Sequence, residues 1–403
     1  MKVTLYPTCL AGSVRAIPSK SMAHRLLICA ALTEGVKRIR CEQSCEDIDA
    51  TISCLKAMGS NIVKIGNYYI VPKITATPCQ SVTFDCGESG TTLRFMMCIA
   101  AGIGLRARFK GSDRLFARPL SPLEEVLTDH GVVITRDTDG RIIQSGKAFG
   151  ENYEISGDVS SQFISGLLMM LPLCKGVSVT VTGDFESKPY VDLTVSAMRT
   201  ADINVEENGR TYTVRGRYDL RDTTVEGDWS NAAFFLCAKA LGCDVEVTNL
   251  KEDSLQGDRG VLEALSKLQS GKESVEIDAK DIPDLVPVLS VVAALTKCRT
   301  TISGAQRLTL KESDRLQTVC KLINDLGGSC KVTSDGLIID GKEKLKGGEV
   351  QGCNDHRIVM SAAIASVGCE NPVVINGAQA VNKSYPAFFE DFASLGGNFK
   401  VEE

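Results

Sequence analysis

One unit is written about six times along this chain, and that repetition constrains the fold more than any other feature. Six apolar, helix-like runs each begin with a polar cluster: Lys20-Ser21-Met22-Ala23-His24-Arg25, Ser89-Gly90-Thr91-Thr92-Leu93-Arg94, Ser160-Ser161-Gln162, Asp228-Trp229-Ser230-Asn231, Asp281-Ile282-Pro283-Asp284 and Asn354-Asp355-His356-Arg357. With Ser21, Thr91, Ser161, Asn231, Asp284 and His356 as anchors, the steps are 70, 70, 70, 53 and 72 residues. A second helix is expected in each unit, through Leu55–Gly59, Leu127–Gly131, Val195–Ala201, Leu262–Leu268, Leu322–Gly327 and Phe388–Gly396. Self-similarity at a fixed period is the signature of a repeat architecture. Short β-rich segments alternate with the helices (Tyr69–Val71, Ser81–Phe84, Val177–Thr182, Thr211–Val214, Val245–Val247, Leu337–Ile339). Each unit therefore reads roughly as βαβαββ, an α/β pattern.

The 53-residue step breaks the rhythm between Asn231 and Asp284. A domain boundary is expected close by, near Glu226-Gly227, with three units on each side. The first domain is then 19–226, and the second is 1–18 plus 227–403. The stray first strand, Lys2 to Leu5, precedes the first unit and is expected to complete a sheet in the other half.

Composition narrows the function. At 403 residues, with 43% hydrophobic and 24% charged side chains, the chain is long enough for two or three packed domains of about 150 residues each. A net charge of −5 and a pI near 5.5 argue against general nucleic-acid binding. Sixteen Cys occur without a C-x-x-C pair, and His is found only at 24, 130 and 356, so zinc-ligand spacing is absent and no metal is expected. Cys29, Cys98, Cys174 and Cys237 sit in apolar runs and read as small buried hydrophobes of a reducing compartment. The N-terminus does not look like a signal peptide, and no apolar run nears the roughly 20 residues that span a bilayer. A soluble cytoplasmic protein without membrane or nucleic-acid partners is expected.

Helix N-termini expose N–H groups and a partial positive charge, so converging unit starts would build an anion site. Lys20, Arg25, Arg94, Arg118, Lys311, Arg315, Arg357 and Lys383 fall at or just before such starts. Any one of them is explained by an ordinary surface charge. The set is harder to dismiss, because two cations about 4 Å apart repel by about 4 kcal/mol at an effective dielectric of about 20. Anionic ligands would offset that cost. Ser89-Gly90-Thr91-Thr92 and Ser160-Ser161-Gln162 suit a phosphate or carboxylate, although simple N-caps explain them equally. Lys311-Glu312-Ser313-Asp314-Arg315 predicts a helix from about Ser313, with a Lys311/Arg315 i,i+4 spacing. There Glu312 is either one of a capped pair or a general acid/base held among cations. Asp284 is likewise a cap or a catalytic base. Asn354 and Asp355 are cap candidates, and His356-Arg357 ligand-contact candidates.

At these residues the chain resembles the 5-enolpyruvylshikimate-3-phosphate synthase family. The matching segments come in the family's order: Pro18-Ser19-Lys20-Ser21, Ser89 to Arg94, Arg118-Pro119-Leu120, Ser160 to Phe163, Ser187-Lys188-Pro189-Tyr190, Glu226-Gly227-Asp228, Leu255 to Asp258, Lys311 to Arg315, Asn354 to Arg357 and Lys383-Ser384-Tyr385-Pro386. The resemblance implies two similar globular domains, each of three βαβαββ repeats (an inside-out α/β barrel), with the active site in an interdomain cleft. It implies transfer of the enolpyruvyl group of phosphoenolpyruvate to the 5-hydroxyl of shikimate 3-phosphate, with release of phosphate and no cofactor, by a monomer. Lys20, Arg118, Gln162 and Lys383 would hold the donor's phosphate, and Arg315 and Arg357 its carboxylate, with Gly90, Thr91 and Arg94 lining that side. Ser160, Ser161 and Ser187 would bind the acceptor's phosphate, with Gln162 alongside. Ser21 and Arg25 would meet its carboxylate, Asp284 and Lys311 its hydroxyls, and Tyr190 its ring. Lys20 would reach both substrates. Glu312 is the expected acid; Asp284 and Lys20 are both candidates for the base.

The chain departs from the family pattern at four points. Pro18 meets Ser19 directly, His24 and Glu88 stand where Asn is common, and Arg307 stands where some members carry Asn. Affinities and sensitivity to glyphosate therefore stay open. Two rival readings remain. One is the sister transferase acting on UDP-N-acetylglucosamine, which usually has an N-terminal Lys-Asn and a reactive loop Cys, neither matched here. The other is a degenerate binding protein for phosphorylated anions, against which the intact Lys20, Asp284, Glu312, Arg315, Arg357 and Lys383 argue.

Overall fold

The computed structural model describes residues 1–402, and six largely buried helices sit where the repeat predicts them: Lys20–Leu32, Gly90–Ile103, Ser161–Cys174, Trp229–Ala240, Val286–Ala294 and His356–Ala365. Five start from the polar clusters through caps that the sequence supplies. Ser19, Ser89, Ser160, Asp228 and Asp355 each accept a backbone N–H of the first turn on a side-chain oxygen. The fifth helix, Val286–Ala294, has no such cap and grows instead from a 3₁₀ turn, Pro283–Leu285. A side-chain cap therefore already takes one of the N–H groups that the sequence left open at most of these helix starts.

These helices are apolar nearly all round, which is the pattern of a helix enclosed by protein. Twelve residues of Gly90–Ile103 are buried, and all nine of Val286–Ala294. Gly102 and Gly166 let two of them approach closely. A Cβ on Gly102 would stand 2.9 Å from Met170 Cγ, and one on Gly166 would stand 2.7 Å from Cys98 Sγ. The second helix of each unit is two-faced: in Arg315–Asp325, Leu316, Val319, Leu322 and Ile323 are buried at helical spacing.

Strand pairing shows the same unit repeated. In five four-stranded sheets, one strand runs parallel to a second, which pairs antiparallel with a third, which pairs antiparallel with a fourth. Asn152–Ser156, Ser178–Thr182, Thr211–Arg215 and Asn204–Asn208 form one such sheet. The sixth sheet has two strands, Ala11–Arg15 parallel to Asp244–Thr248. The fourth unit therefore lacks the hairpin of the others, so the rough βαβαββ pattern expected of each unit is cut short there. The missing hairpin is the physical origin of the 53-residue step.

The chain divides into two compact units, 18–226 and 1–17 plus 227–403. Each has its own core, one around Phe95, Phe163 and Leu167, the other around Phe234, Leu289 and Phe388. Lys2–Tyr6 lies between Val373–Asn376 and Asn398–Glu402, antiparallel to both, and so completes the sixth unit's sheet. Thr223–Thr224, late in the unit 18–226, supplies the parallel partner of Val36–Arg40. The chain is pinned where it passes between units. Ser19 N donates to Glu226 O at 2.7 Å, and Asp228 N donates to Ile17 O at 2.8 Å.

Candidate active site

Each unit carries its own cluster of the residues that the sequence singled out. In the unit 18–226, Lys20 opens the first helix, and its Nζ lies 2.7 Å from Asp47 Oδ2, on the next helix, Glu46–Ala57. Arg25, one turn on, is 2% exposed. Its Nη1 donates to Ser21 O at 2.7 Å, its Nε to Thr194 Oγ1 at 2.6 Å and its Nη2 to Tyr190 O at 2.9 Å. The guanidinium also lies over the Phe95 ring at 5.2 Å. Burial draws its pKa down to about 10, against the raising influence of Tyr190 and Cys29. Arg25 thus ties Lys20–Leu32 to the helix Lys188–Thr200, and much of its donor capacity is spent on the protein itself.

The second and third helix starts are joined by side chains. Gln162 Nε2 donates to Thr91 Oγ1 at 2.7 Å, and Gln162 Oε1 accepts from Arg94 Nη1. Arg94 lies over the Phe163 ring at 5.1 Å and reaches Pro119 O at 3.3 Å. Arg118 stands directly over Gly90: a Cβ there would lie 2.6 Å from Arg118 Nη1. Glycine is required at this position for close approach, not for its backbone freedom. Ser160 caps its helix through Gln162 N at 3.3 Å, and the neighbouring Ser161 is buried. Ser187 is buried in a left-handed backbone, φ 53°, just before Lys188–Thr200. A non-glycine residue held at positive φ stores strain of order 1–3 kcal/mol, and such strain concentrates at ligand sites. The residues named here include four cations, Lys20, Arg25, Arg94 and Arg118, and one carboxylate, Asp47, which pairs with Lys20.

The unit 1–17 plus 227–403 is more balanced. Arg315 is 1% exposed and is the hub. Its Nε donates to Asp355 Oδ2 at 2.8 Å, its Nη2 to Asp355 Oδ1 at 3.2 Å and Glu312 Oε2 at 2.7 Å, and its Nη1 to Asp284 Oδ1 at 2.9 Å. Burial alone would lower its pKa; Asp355, Glu312 and Asp284 outweigh burial and raise it. Asp284 is also held by Arg357, whose Nη2 lies 3.0 Å from Oδ2, and by Lys311 at 3.4 Å from Oδ1. Burial lowers the pKa of Lys311, Asp284 resists that shift and Arg315 adds to it. Lys383 Nζ donates to Asn354 O at 2.6 Å. Cys353 and Asn354 both have left-handed backbones, φ 51° and 53°. The turn that carries Asn354 O to Lys383 is therefore strained.

One local expectation needs correction. The helix expected from about Ser313 begins at Arg315, because the Asp314 side chain caps Gln317 N. Lys311 lies outside the helix, so Lys311 and Arg315 are not an i,i+4 helical pair; both converge on Asp284 instead. Two important residues escaped the sequence reading, and a third was read only in part. Asp47 sits in a helix with no motif of its own. Thr194 is an unremarkable threonine in mid-helix. Asp355 was visible as a cap candidate, and it does cap, through Arg357 N at 3.0 Å. Its larger role, as the fully buried counter-ion of Arg315, depends on a contact 40 residues away in sequence. Of the departures, Glu88 lies in an open hollow of about 600 Å³, lined also by Asp85, Arg108, Lys110 and Arg141. It therefore has cations nearby.

Comparison with known proteins agrees with this picture. The family model described as EPSP synthase (3-phosphoshikimate 1-carboxyvinyltransferase) matches residues 6–392. A 3-phosphoshikimate 1-carboxyvinyltransferase of Clostridium botulinum (strain Alaska E43 / Type E3) is 40% identical, over 98% of this chain and 97% of its own length. One from Clostridium perfringens (strain ATCC 13124) is 40% identical over the whole of both chains. Among solved structures, an EPSP synthase from Acinetobacter baumannii superposes with a TM-score of 0.82 over all of both chains, at 24% identity. The enolpyruvyl transferase NikO from Streptomyces tendae reaches 0.78 at 16% identity, over 99% of this chain and 98% of its own. The two structures speak to the fold, and the family match and the close relatives to descent: this chain belongs to the EPSP synthase family, the 3-phosphoshikimate 1-carboxyvinyltransferases.

Proposed function

We propose that this chain transfers the enolpyruvyl group of phosphoenolpyruvate to the 5-hydroxyl of shikimate 3-phosphate, with the site residues divided between its two units. The observation that carries the assignment is Arg315, whose guanidinium contacts both Glu312 and Asp284. One buried cation thus holds in place the two carboxylates that this reading casts as acid and base.

In this reading the proton held by Glu312 goes to the methylene carbon of phosphoenolpyruvate. The neighbouring carbon becomes electron-poor, and the acceptor's 5-oxygen bonds to it as its own proton leaves to Asp284 or Lys20. A tetrahedral intermediate that still bears phosphate results. Loss of a proton from the new methyl group then re-forms the double bond as the C–O bond to phosphate breaks. Both substrates are multiply anionic. Lys20, Arg118, Gln162 and Lys383 hold the donor phosphate, with Gly90, Thr91 and Arg94 beside it, and Arg315 and Arg357 take its carboxylate. Ser160, Ser161 and Ser187 take the acceptor phosphate, with Gln162 and Lys20 beside it. Ser21, Arg25, Tyr190, Asp284 and Lys311 meet the rest of the acceptor. The reading takes the chain as a cytoplasmic monomer. No helix of the described residues is long and apolar enough to cross a membrane.

The decisive assay follows phosphate release from phosphoenolpyruvate by purified protein in chelator, with and without shikimate 3-phosphate. Release that requires shikimate 3-phosphate is expected. Release with UDP-N-acetylglucosamine instead would assign the sister reaction. Binding of either anion without turnover would make the chain a binding protein.

A second expectation concerns Gly90. In Gly90→Ala the new methyl group must push aside the Arg118 guanidinium, which it would meet at 2.6 Å. The end of that side chain can swing away, so the fold should survive while a donor-phosphate contact is lost. The KM for phosphoenolpyruvate should rise about tenfold or more, the cost of a lost charge-assisted hydrogen bond, with little change in thermal stability. An unchanged KM would show that Arg118 does not serve the donor.

A further inference from the structure

A continuous chain of buried polar side chains runs beneath the donor side of the first unit, and none of its members has a part in the chemistry above. Ser89 Oγ accepts from Thr92 N at 3.2 Å and from Thr92 Oγ1 at 2.8 Å. Thr92 Oγ1 is 2.7 Å from Thr51 Oγ1, and Thr51 Oγ1 is 2.7 Å from His24 Nδ1. All four side chains are almost completely buried.

One consistent set of donors runs from His24 to Ser89. With the Thr92 hydroxyl proton turned to Ser89 and the Thr51 proton to Thr92, His24 donates from Nδ1 to Thr51. His24 Nε2 is then a bare acceptor, buried and without a hydrogen-bond partner among the described residues. The ring is neutral: burial, with Lys20 and Arg25 close by, holds its pKa well below the ordinary histidine value.

The geometry gives the chain a purpose. His24 follows Lys20 by four residues, and Thr51 follows Asp47 by four, so the His24–Thr51 contact stacks one helical turn below the Lys20–Asp47 ion pair. The Asp47 carbonyl is also 3.4 Å from the Thr92 hydroxyl. At the other end, Ser89 caps the helix whose first residues are Gly90 and Thr91. Apolar side chains could fill this space without burying four polar groups. The polar chain instead links two places that the reaction must hold in register, Lys20 and the Ser89-Gly90-Thr91 corner.

We propose that the Ser89–Thr92–Thr51–His24 chain is a positioning device for the donor phosphate, fixing the Gly90–Thr91 corner relative to Lys20, with His24 as its terminal positioning residue. This rests on the reading of the reaction given above. It also gives a use to His24, which departs from the Asn common in the family.

Thr51→Val keeps the shape of the side chain and removes the central hydroxyl. The KM for phosphoenolpyruvate should rise about threefold to tenfold, the affinity equivalent of one net hydrogen bond, while the KM for shikimate 3-phosphate stays within about twofold. Thr51→Ser should restore the first value. Affinity for inorganic phosphate, measured by calorimetry without turnover, should fall in Thr51→Val and recover in Thr51→Ser. If Thr51→Val does not fold, His24→Leu cuts the chain at its end and should show the same selectivity. The proposal is overturned if both KM values rise together, if neither changes, or if Thr51→Ser does no better than Thr51→Val. A wild-type protein that releases no phosphate would remove the reading of function, while the phosphate affinities would still decide the role of the chain.

Discussion

Asp355→Ala should destabilise the unit 1–17 plus 227–403 by about 3–5 kcal/mol, the cost of removing one partner from a buried ion pair. Arg315 would be left 1% exposed with its two Asp355 contacts gone. The same change deletes the cap at Arg357 N, worth about 1 kcal/mol. Asp355→Asn separates the effects, since an amide oxygen can still cap but carries no charge. Urea unfolding of the three proteins measures both terms. In an Asp355→Ala, Arg315→Met double variant, much of the lost stability should return, because the stranded charge is gone. A loss below about 1 kcal/mol in the single variant would mean that Glu312 and Asp284 hold Arg315 without help.

Glu312→Gln and Asp284→Asn should both lower kcat, by about 10²–10⁴-fold, the usual contribution of general acid–base catalysis. Their effects on binding should differ. Asp284 touches Arg315, Arg357 and Lys311, whereas the ion pair of Glu312 is with Arg315. Neutralising Asp284 frees three cations from a competing carboxylate, so phosphoenolpyruvate should bind as tightly as in the wild type, or more tightly. Neutralising Glu312 loosens Arg315 Nη2 but leaves Asp284 on its three cations, and binding should change less. Steady-state kinetics with rapid-quench detection of the tetrahedral intermediate would test this. Equal loss in kcat and in donor affinity for Asp284→Asn would point to a structural carboxylate, and Lys20 would become the better candidate for the base.

How far these features can be read from sequence depends on the distance over which each is encoded. Helix starts are local: Ser19, Ser89, Ser160, Asp228 and Asp355 announce them by residue type, and the apolar runs behind them leave no other stable arrangement. The second helices and the stray strand Lys2–Tyr6 are local in the same sense. The 53-residue step was visible as well, but its cause was not, because an absent hairpin leaves no residues to read. The Arg315 hub, the Lys20–Asp47 pair and the Thr51–His24 contact were out of reach because each joins segments through packing. Nothing near Thr51 hints that it meets His24 on one side and Thr92 on the other. The displaced start at Arg315 shows the limit in miniature: Ser313 and Asp314 are both good caps, and the choice between them is made by Ser313 Oγ, which bonds Asp355 at 3.0 Å.

The placement of Lys2–Tyr6 has a consequence for how the molecule is made. Lys2 pairs with Glu402, and Tyr6 with Asn398, so each strand is made roughly 390 residues apart from the other. At about 5–20 residues per second, the amino-terminal strand waits roughly 20–80 s for its neighbour to be synthesised. Residues 18–226 are contiguous and can fold during that interval. The other unit cannot close its sixth sheet until Asn398–Glu402 has been made. The nascent chain therefore carries Lys2–Tyr6 without its partner strands while the residues between are made, and this sheet is the last of the six that can close.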